Sequence, residues 1–171
     1  MKKELTRRSF LKLAGVGTLA VAMSGSLTGC DVIDNLKDMD SVSAAIGDVK
    51  FMLSASAWVN NGSNGISYQP TCEIRNNSKK AVTYGGIGSN CEVIITGVLT
   101  DKNGKEYPMT YAGKNGSAPA GEKYEVKDFK LVAVGKGLYM EGSKVVTTFT
   151  YNGRKAVFTE YNNGNITSKV E

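Results

Sequence analysis

The chain alternates apolar and polar side chains in short runs broken by glycine-rich turns. Val49 to Val59 opens the series, with Phe51, Leu53, Ala55 and Ala57 set against Met52, Ser54, Ser56 and Trp58. Period-two alternation buries one set and exposes the other, which predicts a strand. Asn60 to Gly65 ends it as a turn or loop. Ile66 to Arg75 follows, with Ile66, Tyr68, Pro70, Cys72 and Ile74 against Ser67, Gln69, Thr71, Glu73 and Arg75. Pro70 has no N–H for a ladder, so an edge position or a bulge is predicted there.

The pattern continues to the C-terminal side. Ala81 to Tyr84 reads as a short strand and Gly85 to Asn90 as an irregular loop. Cys91 to Thr100 places Cys91, Val93, Ile95 and Leu99 on one face, with Ile94 and Val98 adding apolar character to the other, as a central strand would. Asp101-Lys102-Asn103-Gly104 predicts a tight hairpin turn into Lys105 to Ala112, because Asn-Gly supplies positive φ angles. Gly113 to Gly121 is a polar loop. Tyr124 to Val134 is a strand whose phase slips near Lys127-Asp128, the signature of a bulge. Leu138 to Met140 is a short apolar piece. Lys144 to Tyr151 and Arg154 to Tyr161, joined by Asn152-Gly153, form the clearest hairpin. Asn162 to Glu171 is a polar tail expected to fray.

Seven to eight strands at roughly 8–12-residue spacing predict an all-β, antiparallel sandwich over residues 48–161. Their order and the long polar crossover at Gly113 to Gly121 resemble an immunoglobulin-like or fibronectin-like domain. Residues 30–47 carry Asp31, Asp34, Asp38 and Asp40 with few apolar positions, so a solvated tether is expected there.

Residues 1–29 read differently. Lys2, Lys3, Arg7, Arg8 and Lys12 precede an apolar run from Leu13 to Met23, and small residues follow, as in a secretory signal peptide. The run is too short for a membrane span, which needs roughly 20 residues. Thr6-Arg7-Arg8-Ser9-Phe10-Leu11-Lys12 resembles the twin-arginine translocation motif at every specified position. The resemblance implies that the export receptor reads Arg7, Arg8, Phe10 and Leu11. Leu27-Thr28-Gly29-Cys30 resembles a bacterial lipobox. That resemblance implies cleavage before Cys30, a diacylglyceryl group on its thiol, and a chain held on the extracytoplasmic side of a bacterial cell membrane.

Composition adds two constraints. The chain has 21 basic and 16 acidic residues, but five of the basic and one of the acidic residues lie in residues 1–29, leaving +1 for the remainder. The apparent basicity therefore gives no support for nucleic-acid binding. Histidine is absent, which removes the commonest general base and the commonest metal ligand. With Cys30 assigned to lipid, Cys72 and Cys91 remain, both on the apolar phase of their strands. In an exported chain they are expected to form a disulfide, which would stabilise by about 3 kcal/mol in the chain-entropy model. The alternative is two buried thiols packed as small hydrophobes. The only tryptophan, Trp58, falls on the more polar phase, so the antibody bridge-and-tryptophan framework is not matched.

Candidate chemistry is sparse. Asp101 to Gly104 lacks the later ligands of a calcium loop and is read as turn chemistry. Glu73 and Glu92 are the remaining carboxylate pair, each expected on a solvated face beside a basic residue. Trp58, Tyr68, Tyr84, Tyr107, Tyr111 and Tyr139 are read first as core or cross-strand aromatics and second as a patch for a protein or glycan. No cofactor and no metal are expected. The reading is a non-enzymatic, lipid-anchored binding or accessory domain working through Asn60 to Gly65, Gly85 to Asn90 and Gly113 to Gly121. An accessory subunit of a twin-arginine-exported complex is the alternative, and a hydrolytic enzyme the least favoured.

Overall fold

A computed structural model describes residues 41–62, 65–135, 138 and 140–171, all within the second of two units, Met1–Ile33 and Asp34–Glu171. The export motif, the lipobox and Cys30 lie outside the described residues.

Among the described residues the chain forms twelve strands: β1 (Ser41–Ile46), β2 (Val49–Asn60), β3 (Ile66–Asn76), β4 (Val82–Gly85), β5 (Val93–Thr100), β6 (Glu106–Tyr111), β7 (Gly116–Ala118), β8 (Lys123–Glu125), β9 (Leu131–Ala133), β10 (Lys144–Tyr151), β11 (Arg154–Tyr161) and β12 (Ile166–Val170). The fold is all-β. The sheet runs β1-β2-β3-β9-β6-β5-β10-β11-β12, with β4 attached to β5 and β7, and β8 attached to β3. It curls into a nearly closed, barrel-like form, where the alternation alone predicts two separate layers. The strand that makes the difference is β6. Its first half pairs with β5 (Gly97↔Met109, Thr100↔Glu106), and its end pairs with β9 (Tyr111↔Leu131). One strand thus belongs to both halves of the sheet.

Every neighbouring pair along that nine-strand path is antiparallel. Directions alternate, so the first and ninth strands, β1 and β12, run the same way. They meet at a seam where the Ser168 hydroxyl donates to the Ser43 carbonyl at 2.8 Å.

The core is aromatic at its centre. Phe51 on β2 stacks on Phe149 on β10 with ring centroids 4.8 Å apart. Phe158 meets Phe149 edge-on at 5.6 Å, and Phe129 lies 6.1 Å away. Full burial of each such ring contributes roughly 1.5–3 kcal/mol. Ile46, Val49, Leu53, Ile66, Ile74, Val93, Ile95, Leu99, Leu131 and Val145 fill the space around them.

Several expectations change at the boundaries. The acid-rich segment is not a tether throughout: from Ser41 it pairs with β2, because Ala44 and Ile46 are apolar at alternate positions and reach the core. The polar tail does not fray, because Ile166 to Val170 pairs with β11. The predicted strand from Tyr124 to Val134 is two short ones, β8 and β9, both paired with β3. Asp128, at φ 57°, turns the chain between them, near the predicted phase slip. The Asp101 turn and the β10–β11 hairpin form as expected.

Pro70 sits at a bulge. The β2–β3 register slips between Ser54 and Ser56, and Pro70 falls opposite Ser56. On its other side β3 pairs with β9 up to Tyr68 and with β8 from Glu73, so the proline lies in the gap between ladders. The missing N–H breaks no ladder there.

The Cys72–Cys91 disulfide is not formed. Both thiols are free, Cys72 buried on β3 and Cys91 half-buried ahead of β5. They belong to different parts of the sheet, since β3 pairs with β2, β8 and β9 and β5 with β4, β6 and β10. Burial, with Glu73 next to it, pushes the Cys72 thiol pKa well above its ordinary value and so keeps it protonated.

Gly65 closes the turn into β3 at φ +105°, and a Cβ there would fall 1.9 Å from the Ala133 carbonyl oxygen. Gly47 also has positive φ, but its Cβ would point into open space. Gly65→Ala should therefore cost at least ~2 kcal/mol in urea unfolding, from strain plus a backbone clash, and Gly47→Ala about 1 kcal/mol. Equal losses at the two sites would contradict the close approach of β9 to the turn.

Candidate functional site

The bulge in β2 has a second effect. It flips the side-chain phase beyond Ser54, so Ser56 and Trp58 turn toward the interior and not to the polar face. There they meet Glu160, at the end of β11 and only 5 % exposed. One carboxyl oxygen accepts hydrogen bonds from Ser56 Oγ and from Trp58 Nε1 (3.3 Å). The other accepts from Tyr68 Oη at 2.7 Å. Trp58 also packs edge-on against Tyr68 at 5.5 Å. Burial, then the adjacent Glu160, holds the Tyr68 phenol pKa far above its ordinary value. Thr147, fully buried on β10, interacts with the Tyr68 phenol in a way that lowers that pKa in part. A buried acid with no ion-pair partner among the described residues needs several donors, and this one has three. The cluster ties β2, β3 and β11 together.

A second polar centre lies at the other end of β3. Asn76 is fully buried, and its side-chain amide donates to the carbonyls of Lys80 (2.8 Å) and Ala118 (3.0 Å). Its Oδ1 accepts from the Ser78 N–H and hydroxyl. Asn77 N–H donates to the Asp48 carbonyl at 2.8 Å. One asparagine therefore fixes the 77–81 loop, and through Ala118 it holds β7 beside β3.

Two of the three loops expected to bind are brought together. The pairing of β4 with β7 (Val82↔Ala118, Tyr84↔Gly116) joins the segment Gly85 to Asn90 to the segment Gly113 to Gly121. Of Asn60 to Gly65, the described residues Asn60 to Gly62 and Gly65 flank the Ile66 end of β3, which pairs with β2 and β9. The paired loops are braced by tyrosines. A Cβ on Gly113 would fall 2.5 Å from the Tyr111 hydroxyl, and one on Gly116 2.3 Å from the Tyr84 hydroxyl. Only glycine lets those rings lie against the loop backbone. Tyr111 Oη donates to the Lys114 carbonyl at 3.1 Å, and Tyr84 stands 6.1 Å from Tyr124. In the neighbouring loop, where a Cβ on Gly86 would lie 3.3 Å from the Tyr111 Cβ, Ile87 projects with 80 % of its surface exposed.

The carboxylate pair is not a pair. Glu73 on β3 binds Lys123 Nζ at 2.8 Å, while Glu92 binds Lys80 Nζ at 2.8 Å and accepts the Thr83 N–H at 3.1 Å. The Lys80 hydrogen bond, then Thr83, keeps the Glu92 carboxyl below its ordinary pKa. Asp101 accepts the backbone N–H groups of Lys105 and Asn103 and is likewise held low, which is hairpin chemistry. Of the aromatics, Tyr68, Tyr84 and Tyr111 are buried, Trp58 and Tyr107 are half-buried, and Tyr139 lies outside the described residues. No group of three or more metal-ligating side chains occurs among the described residues.

A cleft that sequence reasoning missed opens where three turns meet. Ile46, Gly47 and Asp48 line it from the β1–β2 turn, Ser78 from the loop fixed by Asn76, and Tyr151, Asn152 and Arg154 from the β10–β11 hairpin. Its volume is about 310 Å³. The Asn152-Gly153 turn was legible in the sequence, whereas Gly47 fell in the expected tether, and the convergence of the three turns depends on strand order.

No protein-family model matches the chain, and no curated protein matches it. Among solved structures, a Bacteroides uniformis β-glucuronidase is similar over 62 % of this chain and 12 % of its own, at 14 % identity and a TM-score of 0.36. This chain thus spans about an eighth of that protein's length. A likeness of that degree bears on neither fold family nor activity.

Two outcomes follow from the buried polar groups. Glu160→Ala strands three donors and should cost about 3 kcal/mol or more, against about 1–3 for Tyr68→Phe, both read from urea midpoints. Equal, negligible losses would mean that the cluster is not closed in solution. On the alkaline side, burial raises the pKa of Tyr68, Tyr84 and Tyr111, the last to about 12. The unfolded chain loses these protons near pH 10 and the folded chain holds them, so stability is full below about pH 10 and falls as pH rises toward 12. These three phenols should ionise only as the fold is lost. Near-ultraviolet titration reads this directly, and complete phenolate formation with native circular dichroism would contradict the packing.

Proposed function

We propose that the chain is a lipid-anchored, extracytoplasmic binding or accessory domain of immunoglobulin-like descent, held at a bacterial membrane through Cys30 after twin-arginine export. Three features support the reading. The motif from Thr6 to Lys12 and the lipobox from Leu27 to Cys30 supply the address and the anchor. The order β2-β3-β9 against β6-β5-β10-β11 parallels the A-B-E and C′-C-F-G sheets of immunoglobulin-type domains, with β1 and β12 added outside them. The observation that carries the functional half is the braced loop pair. Rigid loops on a β scaffold lose little conformational freedom on binding, which is where such domains place recognition. Ile87, exposed on that surface, is the apolar anchor.

No reactive constellation enters this proposal, and the work is recognition, not catalysis. The accessory-subunit version follows from the export route, since that pathway carries folded cargo. The partner is then a co-exported protein, not a free ligand.

The anchor is tested by detergent phase partition. Cys30→Ala should move the exported chain from the detergent to the aqueous phase, and replacing Arg7 and Arg8 by lysine should leave uncleaved precursor in the cytoplasm. An unchanged distribution in both would remove the export and anchoring parts. The loops are tested by cross-linking in solubilised membranes. Ile87→Asp should lower recovery of any cross-linked protein or glycan by about tenfold while leaving the urea midpoint within about 0.5 kcal/mol. Recovery of the monomer alone from the unaltered protein would end the binding reading.

A further inference from the structure

The cleft at the meeting of the three turns is built from both charges and is firmly walled. Asp48 and Arg154 line it from different hairpins, and neither has an ion-pair partner among the described residues. The Tyr151 and Ile46 side chains, 8 % and 2 % exposed, line the same cleft and supply its apolar part. The walls do not depend on a ligand for their shape. Asn77 N–H holds the Asp48 carbonyl at 2.8 Å, Asn76 Oδ1 holds Ser78 through both its N–H and its hydroxyl, and the Asn152-Gly153 turn has positive φ at both residues, 49° and 76°. Two such residues give the hairpin a tight turn whose twist matches its strands.

An acid and a base on separate hairpins of one cleft, each without an ion-pair partner among the described residues, fit a ligand that carries both charges itself. A simple anion would meet Asp48, and a simple cation would meet Arg154. A cleft of about 310 Å³ lies at the small end of ligand-site volumes, which run roughly 300–1,000 Å³. That suits a few linked small residues better than an extended chain or a folded protein. We propose that this cleft binds a short peptide with both termini free, its carboxylate on Arg154 and its ammonium group on Asp48, with small apolar side chains against Ile46 and Tyr151. A guanidinium presents two parallel donors to a carboxylate, which gives this end its orientation. The inference rests on the reading of the chain as a binding domain and names the ligand class of a second surface, apart from the Ile87 loops.

The probe is alanyl-alanine, titrated into the full-length protein in detergent micelles and followed by amide NMR shifts. Saturable shifts are expected at Gly47, Asp48, Asn152 and Gly153, with the Gly86 to Gly88 amides unmoved. Amidating the carboxylate should weaken binding about tenfold, and acetylating the amine should do the same. Arg154→Gln should weaken the free dipeptide about tenfold and remove the effect of amidation. Asp48→Asn should do likewise for acetylation. If the doubly blocked dipeptide binds as well as the free one, or if the unaltered protein shows no saturable shift at tens of millimolar, the proposal is wrong. Loss of cross-linked partner in Ile87→Asp with dipeptide shifts intact touches only the loop surface. Absence of dipeptide shifts with cross-linking intact removes only this cleft.

Discussion

The domain depends first on the contact of Phe51 with Phe149. These rings belong to strands far apart along the sheet, β2 and β10, and they stack at 4.8 Å across its interior. That contact requires the sheet to curl until its two halves face each other. Strand β6 allows the curl by leaving β5 for β9 part-way along its length. Phe129 and Phe158 then close around Phe149. The apolar surface so removed from water is the main stabilising contribution, and the polar centres at Glu160 and Asn76 give the enclosed core its register.

Those two centres divide the labour. Asn76 is an economical device: one neutral side chain satisfies two carbonyls and holds two segments distant in sequence. Glu160 is the costlier one, because a buried carboxyl needs donors from more than one strand. The β2 bulge makes them available. Without the slip between Ser54 and Ser56, Ser56 and Trp58 would face outward and Glu160 would keep only Tyr68. Local irregularity and buried acid are thus a matched pair, and removing either exposes the other.

Much of the strand plan was legible in the sequence, and the reasons for the failures are specific. Alternation located β2, β3, β5, β10 and β11 because each has one buried face. It failed at β1 and β12, where a polar or acidic composition masks the few inward positions, such as Ala44 and Ile46. It assigned Trp58 to the polar face because period two cannot register an inserted residue until a partner strand is known. The disulfide expectation followed from compartment and phase alone, whereas the two cysteines sit in different parts of the sheet. Asn76 follows a predicted strand that ends at Arg75, and nothing in its local sequence marks it as a buried residue. The loops were found, but which of them meet was not, since that follows from β4 pairing with β7. The cleft was invisible for the same reason: its walls come from turns that only topology brings together.

The parallel meeting of β1 and β12 has a mechanical consequence. The chain enters β1 heading for the Gly47 turn, and β12 leaves toward that same end, where Glu171 pairs with Lys155. Tension between the two ends of the domain therefore acts along the axes of its two outermost strands. It loads the six registered pairs of β1 with β2 together, in shear, rather than peeling them one after another. A chain tethered at its N-terminal side would carry such a load through its strongest geometry.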